Sequence, residues 1–165
     1  MAALKAAVIT VSTSVAGGER EDRSGVLLAE LAAAGGVEVV ARETVPDSVE
    51  AIEAALRRYS TPASEVKVVL TTGGTGLTQD DVTPEATRAV IGREVPGIGE
   101  AMRAESRKYT PMGVLSREVA GVVGDTLIVN FPGNPKAIEQ LFGVIAPVLE
   151  HAVGLLGREH GSAGH

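Results

Sequence analysis

Glycine and threonine are concentrated in one short segment of this 165-residue chain, Thr-Thr-Gly-Gly-Thr-Gly at positions 71–76. The segment follows an apolar run at 66–70, whose β-branched residues are typical of a buried strand. Such a loop can present backbone N–H groups and hydroxyls to a phosphate or pyrophosphate, because no bulky side chain stands in the way. A glycine-rich turn after a strand can also be only a tight connection, and this segment alone leaves both interpretations open.

Two common nucleotide-binding patterns are absent from this loop. No Gly-Lys-Ser or Gly-Lys-Thr follows it, so it is not a P-loop. The third glycine of the dinucleotide fingerprint is missing after Gly74 and Gly76. A nicotinamide or flavin dinucleotide is therefore not the expected ligand.

Aspartates lie close to the ends of two predicted strands, Asp47 after the second and Asp80-Asp81 after the glycine loop. Each has a possible local role, since Asp47 and Glu50 have the spacing of a helix capping box. The tandem pair precedes a helix start at Thr83, where acidic residues are favoured and threonine is a suitable N-cap. Carboxylates on neighbouring loops could instead hold Mg²⁺ together, the usual partner when phosphates react.

The elements that must position these residues alternate along the chain. Apolar runs predict strands at 5–11, 37–45, 66–70 and 126–131, and helical spacing predicts helices at 24–34, 48–59, 99–108 and 134–156, with a further helix starting at 83. Alternation of this kind predicts an α/β fold in three layers, with a mainly parallel sheet and helices on both faces. Loops that follow parallel strands meet at one edge, where ligands bind. We expect the loops at 12–23, 46–47, 71–81 and 132–135 to converge there.

Composition limits the classes of function. The chain is 44% hydrophobic and 22% charged, which predicts one globular domain over 1–157 and a flexible tail over 158–165. With 2% aromatic residues and a net charge of −6, base stacking and binding to a nucleic-acid backbone are disfavoured. The absence of cysteine fits a reducing cytoplasm. We expect no membrane segment, since no apolar run reaches the roughly 18 residues that a span needs.

The glycine loop followed by Asp81-Val82-Thr83-Pro84-Glu85 resembles the signature of the molybdopterin-binding family. Within it, the chain is similar to molybdopterin adenylyltransferases of the Mog type and to the G domains of the plant and animal fusion proteins. The resemblance covers nearly the whole chain. It includes the segments Val11-Ser12, Asp22-Arg23-Ser24-Gly25, Val45-Pro46-Asp47, Pro96-Gly97, Leu115-Ser116-Arg117, Ala120-Gly121 and Pro132-Gly133-Asn134-Pro135-Lys136.

One departure from the family pattern is visible. Many relatives carry Pro-Arg where this chain has Gln79-Asp80. Any basic contact to a substrate phosphate at this position is lost, and Asp80 adds a negative charge. We therefore expect no phosphate-binding residue at position 80.

The resemblance implies a reaction and a set of residues. The reaction is Mg²⁺-dependent nucleotidyl transfer in molybdenum cofactor biosynthesis, from ATP to molybdopterin, giving adenylyl-molybdopterin and pyrophosphate. Asp47 and Asp81 would be the catalytic residues and would hold Mg²⁺. The substrate- and nucleotide-binding residues would be Ser12, Thr72, Gly73, Gly74, Thr75, Gly76, Ser116, Pro132, Gly133, Asn134 and Pro135. The resemblance also implies a homotrimer and a possible partner protein for molybdate insertion.

Two other classes fit part of the pattern. One is a non-catalytic molybdopterin-binding or carrier protein of the MoaB-like branch, although the presence of both Asp47 and Asp81 favours an enzyme. The other is a CinA-like enzyme linked to nicotinamide nucleotides, a group whose chains usually continue into a second domain. Single residues also have ordinary alternatives: Ser116 as a loop hydroxyl satisfied by the protein, and Asn134 as a helix N-cap.

Overall fold

The computed structural model describes residues 3–158, and these form one six-stranded sheet with helices on both faces. The strands are β1 (Leu4–Val11), β2 (Val37–Val45), β3 (Val68–Thr72), β4 (Arg93–Glu94), β5 (Ala120–Val123) and β6 (Thr126–Phe131). The helices are α1 (Thr13–Ala16), α2 (Arg23–Ala34), α3 (Val49–Tyr59), α4 (Thr83–Val90), α5 (Pro96–Ser106) and α6 (Pro135–Leu156), with a 3-10 helix at Pro111–Leu115. Residues 159–165 of the expected tail lie outside the described residues.

The strand order is β2-β1-β3-β6-β5-β4. β1, β2, β3 and β6 are parallel, whereas β5 is antiparallel to β6, and β4 is antiparallel to β5. The expected α/β class with a mainly parallel sheet is confirmed. The antiparallel edge was not predicted, because β4 has two exposed residues and β5 only four, too few to show a hydrophobic period.

The core has two halves, one on each face of the sheet. Along β1, Ala6 and Val8 face α2, α5 and α6, whereas Ala7 and Ile9 face α3 and α4. This alternation is the pattern of a strand buried on both faces. Because so few side chains are aromatic, the helices pack against the sheet mainly through aliphatic residues and alanine.

Helix α6 is 22 residues long and is apolar enough to cross a membrane by length and composition alone. Its apolar residues also have a place in the folded domain, however. The side chains that α6 buries in the core are Ile138, Leu141, Phe142, Ile145 and Leu149. The ring of Phe142 stacks on that of Phe131 in β6, with 6.2 Å between their centroids. One side of α6 is thus packed against the core of this fold.

The four parallel strands bring their following loops to one edge of the sheet, as expected. The N–H of Ser12, just after β1, donates to the carbonyl of Val45 at the end of β2 (2.9 Å). The N–H of Gly73, just after β3, donates to the carbonyl of Phe131 at the end of β6 (3.0 Å). The polar segments that follow these strands therefore form one continuous surface.

Candidate active site

A cavity of about 630 Å³ opens at this edge of the sheet, within the size range of small-molecule sites. Its wall comes from the segment after β1, the glycine loop after β3 and the loop after β6. Five of the predicted binding residues line it: Ser12, Thr72, Gly73, Gly133 and Pro135. Three of the loops that were expected to converge at this edge thus contribute to the cavity wall.

The glycine loop has a backbone that only glycine adopts without strain. Gly73 has a φ of 103° and Gly74 a φ of 70°, both in the left-handed region. A Cβ at Gly73 would overlap the carbonyl oxygen of Val11, and one at Gly74 would overlap the hydroxyl of Thr83. These two glycines are thus required by conformation and by close packing.

Thr83 has a different role from the expected one. The helix α4 begins at Thr83 itself, with Val82 at the N-cap position and no side-chain cap. The buried Thr83 hydroxyl donates to the carbonyl of Gly73 (2.9 Å), and its N–H donates to the carbonyl of Gly74 (3.1 Å). The prediction of an N-cap was wrong. The residue instead holds the glycine loop against the start of α4.

The loop after β6 packs directly on the glycine loop. The Thr72 hydroxyl donates to the carbonyl of Pro132 (2.8 Å), and the Ser24 hydroxyl donates to the carbonyl of Gly133 (2.6 Å). Asn134 caps α6, its side chain accepting from the N–H of Lys136 (2.9 Å), as its local pattern predicted. Asn134 is exposed and is not part of the cavity wall.

Asp47 does not cap α3, the helix that follows it. Its Oδ2 accepts hydrogen bonds from the N–H (3.1 Å) and the hydroxyl (3.0 Å) of Thr13, next to Ser12 of the cavity wall. The cap of α3 is Ser48, whose hydroxyl accepts from the N–H of Ala51 (3.3 Å). The capping interpretation of Asp47 was therefore wrong, and this carboxylate joins the segments after β1 and β2.

Asp81 turns back toward the glycine loop. Its Oδ2 accepts from the N–H (3.0 Å) and the hydroxyl (2.8 Å) of Thr78. A Cβ at Gly76 would lie 2.7 Å from that same oxygen, so the absence of a side chain at 76 makes room for the carboxylate. Neither Asp47 nor Asp81 lines the cavity itself; each lies on a loop joined to its wall.

Ser116 lies beside the glycine loop but outside the main cavity. Its hydroxyl is 3.5 Å from that of Thr75 and donates to the carboxylate of Glu118. Glu118 is only 3% exposed, and its Oε1 has no hydrogen-bond partner within residues 3–158. Burial raises the pKa of Glu118, against the opposing effects of the Ser116 hydrogen bond and the charge of Arg103. Ser116 is thus at least partly a hydroxyl satisfied by the protein.

Asp22 is part of the cavity wall but was not among the predicted binding residues, although its segment resembles the family pattern. Its carboxylate accepts from the hydroxyl of Thr10 (2.9 and 3.0 Å), the N–H of Gly25 (2.9 Å) and the guanidinium of Arg42 (3.2 Å). A polar Thr10 near the end of an otherwise apolar strand was the available signal. The pairing with Arg42, on another strand, leaves no pattern in the local sequence.

No group of three His, Cys, Asp or Glu side chains within the described part of the chain could hold a metal ion. The two predicted ligands do keep one oxygen each, because Oδ1 of Asp47 and of Asp81 accepts no hydrogen bond from residues 3–158. Mg²⁺ is commonly bound by one or two carboxylates and completed by water and substrate phosphates. In type and number the two free carboxylate oxygens match that mode of binding, and they do not match a cage made by the protein alone.

Comparison with known proteins connects this arrangement to a family. The model of a family described as the probable molybdopterin binding domain matches residues 7–151, a range that contains every predicted site residue. The chain belongs to this molybdopterin-binding family. The family predicted from the sequence motifs is therefore confirmed.

Relatives within the molybdopterin-binding family include a bacterial adenylyltransferase and a larger animal protein. The chain is 40% identical to a molybdopterin adenylyltransferase of Helicobacter pylori over 114 residues, 69% of this chain and 64% of that protein. It is 39% identical to the Drosophila melanogaster molybdenum cofactor synthesis protein cinnamon over 152 residues, 91% of this chain and 25% of that protein. The matched part is thus less than two thirds of either relative.

A solved member of the molybdopterin-binding family has nearly the same extent as this chain. The molybdopterin biosynthesis enzyme MoaB of Thermus thermophilus superposes with a TM-score of 0.86 at 44% identity, covering 93% of this chain and 96% of that one. The six-stranded sheet described above is therefore the fold of this family.

Proposed function

We propose that this chain transfers the adenylyl group of ATP to molybdopterin in molybdenum cofactor biosynthesis. The terminal phosphate of the pterin attacks the α-phosphorus of ATP, the bond to the β-phosphate breaks, and pyrophosphate leaves. The observation that carries the proposal is the meeting of loops from β1, β3 and β6 at one cavity, with Asp47 bonded to Thr13 beside the β1 segment and Asp81 on the same connection as the glycine loop. The family to which the chain belongs includes relatives named for this reaction.

The glycine loop supports binding of phosphate. The backbone N–H groups of Gly74, Thr75 and Gly76 donate to no acceptor among the residues that the structure describes. Successive free N–H groups in a turn form a concave site for anions. The carbonyls of Gly73 and Gly74, which would repel a phosphate, are already bonded to Thr83. The loop thus offers free N–H donors to a phosphate even though the net charge of the chain is negative.

Asp47 and Asp81 are the residues that we assign to the chemistry. Each would offer its Oδ1 to Mg²⁺, while its Oδ2 stays bonded to a threonine that fixes the side chain. The bound ion would neutralise charge that develops on the reacting phosphates. Little covalent work falls to the protein, so its contribution is mainly to position the two substrates.

The predicted binding residues form two groups, those that line the main cavity and those that lie outside its wall. Ser12, Thr72, Gly73 and Gly133 would contact the ligand in the main cavity, together with Pro135. Further substrate contacts are assigned, as proposals, to the other predicted binding residues: Gly74, Thr75, Gly76, Ser116, Pro132 and Asn134.

We also propose that the protein works as a cytoplasmic homotrimer, with molybdate inserted by a separate partner protein. An exposed apolar patch supports self-association, because isolated chains seldom leave such patches uncovered. Its members, on and before the 3-10 helix, are Tyr109, Met112, Val114 and Leu115. Sedimentation of the purified protein tests the trimer.

The experiment that tests the function is direct. Purified protein is incubated with molybdopterin, ATP and Mg²⁺, and both the AMP adduct of the pterin and pyrophosphate are quantified. We expect equal amounts of the two products. Tight pterin binding without either product would overturn the enzyme assignment and support a carrier of the MoaB-like branch. The absence of pterin binding would overturn both.

A further inference from the structure

Arg117 bonds to both ends of the loop that joins β3 to α4. Its backbone N–H donates to the carbonyl of Thr75 (2.9 Å) and its Nε donates to the carbonyl of Gly76 (2.8 Å). Its Nη2 donates to the carbonyl of Asp81 (2.7 Å). One side chain therefore joins the last glycine of the loop to the aspartate five positions later.

Together with the bonds made by Asp81, these contacts define the whole loop at 76–81. The tip is closed by Thr78, whose carbonyl accepts from the N–H of Asp81 (3.1 Å) while its N–H and hydroxyl donate to the Asp81 carboxylate. The base is closed by Arg117. The place of the Asp81 carboxylate thus depends on a guanidinium 36 positions away in sequence.

The geometry requires arginine rather than any cation. The guanidinium is planar and its donors point in fixed, divergent directions, so it can bond to two carbonyls and a carboxylate at once. Its third partner is Oε1 of Glu85 in the first turn of α4 (2.6 Å), which balances the charge. The ammonium group of lysine is a compact point charge and cannot reproduce the fork.

Arg117 is two-thirds buried and does not line the main cavity. Two of its side-chain acceptors are uncharged backbone carbonyls of the protein itself. It is therefore placed to act on the loop and not on a ligand in that cavity.

We propose that Arg117 is a positioning residue that fixes Asp81 at the place where the proposed adenylyl transfer needs a carboxylate. This inference rests on the proposed function for its link to catalysis. Its structural part, that Arg117 orders the loop at 76–81, is independent of any reaction.

The test compares Arg117→Lys with Glu85→Gln. Arg117→Lys keeps the positive charge but loses the divergent donors of the guanidinium. Glu85→Gln removes only the negative charge of the carboxylate partner and leaves the bonds of Arg117 to the two carbonyls in place. In metal-free protein, the amide of Asp81 should exchange its hydrogen at least about tenfold faster in Arg117→Lys and at the wild-type rate in Glu85→Gln. An unchanged exchange rate in Arg117→Lys would overturn the proposal.

Kinetics separate positioning from general destabilisation. In Arg117→Lys, the Mg²⁺ concentration that gives half-maximal transfer should rise about 10- to 100-fold, while the KM for molybdopterin stays constant. A partly unfolded variant would instead lose rate at every Mg²⁺ concentration. In protein that already carries Asp81→Asn, adding Arg117→Lys should lower the rate of transfer by less than about a further threefold, since the two residues act as a unit. Full additivity of the two losses would overturn the link to Asp81.

The two proposals fail in different ways. If wild-type protein transfers no adenylyl group while the exchange difference persists, the proposed function is wrong and the ordering of the loop by Arg117 stands. If transfer occurs and exchange at Asp81 is the same in all variants, the function stands and the role of Arg117 is wrong.

Discussion

A Cβ atom on Gly133 would lie 3.3 Å from the Cα of Gly73, so the loops after β6 and β3 touch backbone to backbone at the cavity. No side chain at either position separates the two loops. The carbonyl of Gly133 is held by Ser24 and the N–H of Gly73 by Phe131. The cavity wall is thus formed by main chain at a place where a ligand phosphate could approach closely.

The first prediction concerns Gly73→Ala. The new methyl group would overlap the Val11 carbonyl in a backbone conformation that alanine rarely adopts. We expect the free energy of unfolding to fall by about 1–3 kcal/mol or more, and adenylyl transfer to be lost. Urea denaturation and the product assay measure the two effects. Gly97→Ala is the control, since a Cβ there meets nothing within 4 Å; it should leave transfer unchanged and, because Gly97 is helical, should not lower the free energy of unfolding.

The second prediction concerns Asp81→Asn. The amide keeps the shape and an oxygen for Thr78 but loses the charge. We expect kcat to fall about 10²- to 10³-fold, with the fold and pterin binding retained. Steady-state kinetics and a pterin-binding titration measure these quantities. Asp80→Asn, at the exposed neighbouring position, should turn over like the wild type. Wild-type turnover by Asp81→Asn would refute the catalytic assignment.

The third prediction concerns pH and Glu118. Burial raises the pKa of this carboxyl above its ordinary 4.5, so the folded protein holds the proton where the unfolded chain has released it. The resulting stability is present below about pH 4.5 and is lost as pH rises through the folded value, at about 1.4 kcal/mol per unit of difference. Glu118→Gln stays neutral. The urea midpoint of this variant should therefore rise relative to that of the wild type as the pH increases from 4.5 to 8.

A constant difference in midpoint across that pH range would show that Glu118 titrates alike in both states. The variant keeps the shape of the side chain and can still accept from Ser116. A loss of folding at all pH values is therefore not expected. Circular dichroism at each pH, before denaturant is added, checks that both proteins start from the same folded state.

The fourth prediction concerns the buried Asn130 in β6. Its amide nitrogen donates to the hydroxyls of Thr71 and Thr87 (3.0 Å each), and its Oδ1 accepts from the N–H of Val119 (3.1 Å). Asn130→Ala leaves these buried groups without partners and should lower the free energy of unfolding by about 1–3 kcal/mol. Thermal or urea unfolding measures the loss. The exposed Asn134→Ala should cost only about 1 kcal/mol, the usual value of an N-cap.

The main features of the fold could be predicted because β1, β3 and β6 are mainly apolar runs, which are typical of parallel strands buried on both faces. β4 and β5 could not, since their antiparallel pairing, of β5 with β6 and of β4 with β5, defines them rather than a local pattern. The same distinction applies to the site. The glycine loop is visible in the sequence, but the partners of Asp47 and Asp22 come from other segments.

Thr83 shows why local rules mislead at such a place. Threonine before proline at a helix start normally caps the helix, yet here the tight glycine loop brings a carbonyl within reach of the hydroxyl. The hydrogen bond from Thr83 to the carbonyl of Gly73 thus replaces the expected bond to the first turn of the helix. Arg117 is the converse case, because nothing in its neighbourhood on the chain indicates that its guanidinium reaches Gly76 and Asp81.

The strand order also sets when the cavity can exist during synthesis. β3 pairs with β1 on one side and with β6 on the other, and β6 follows it by more than 50 residues. At translation rates of about 5–20 residues per second, roughly 3–11 s separate these strands as they leave the ribosome. Through that interval β3 has an open edge, and the hydroxyl of Ser24 lacks the carbonyl 109 positions ahead of it. A nascent chain therefore carries the glycine loop before the wall of the cavity is complete.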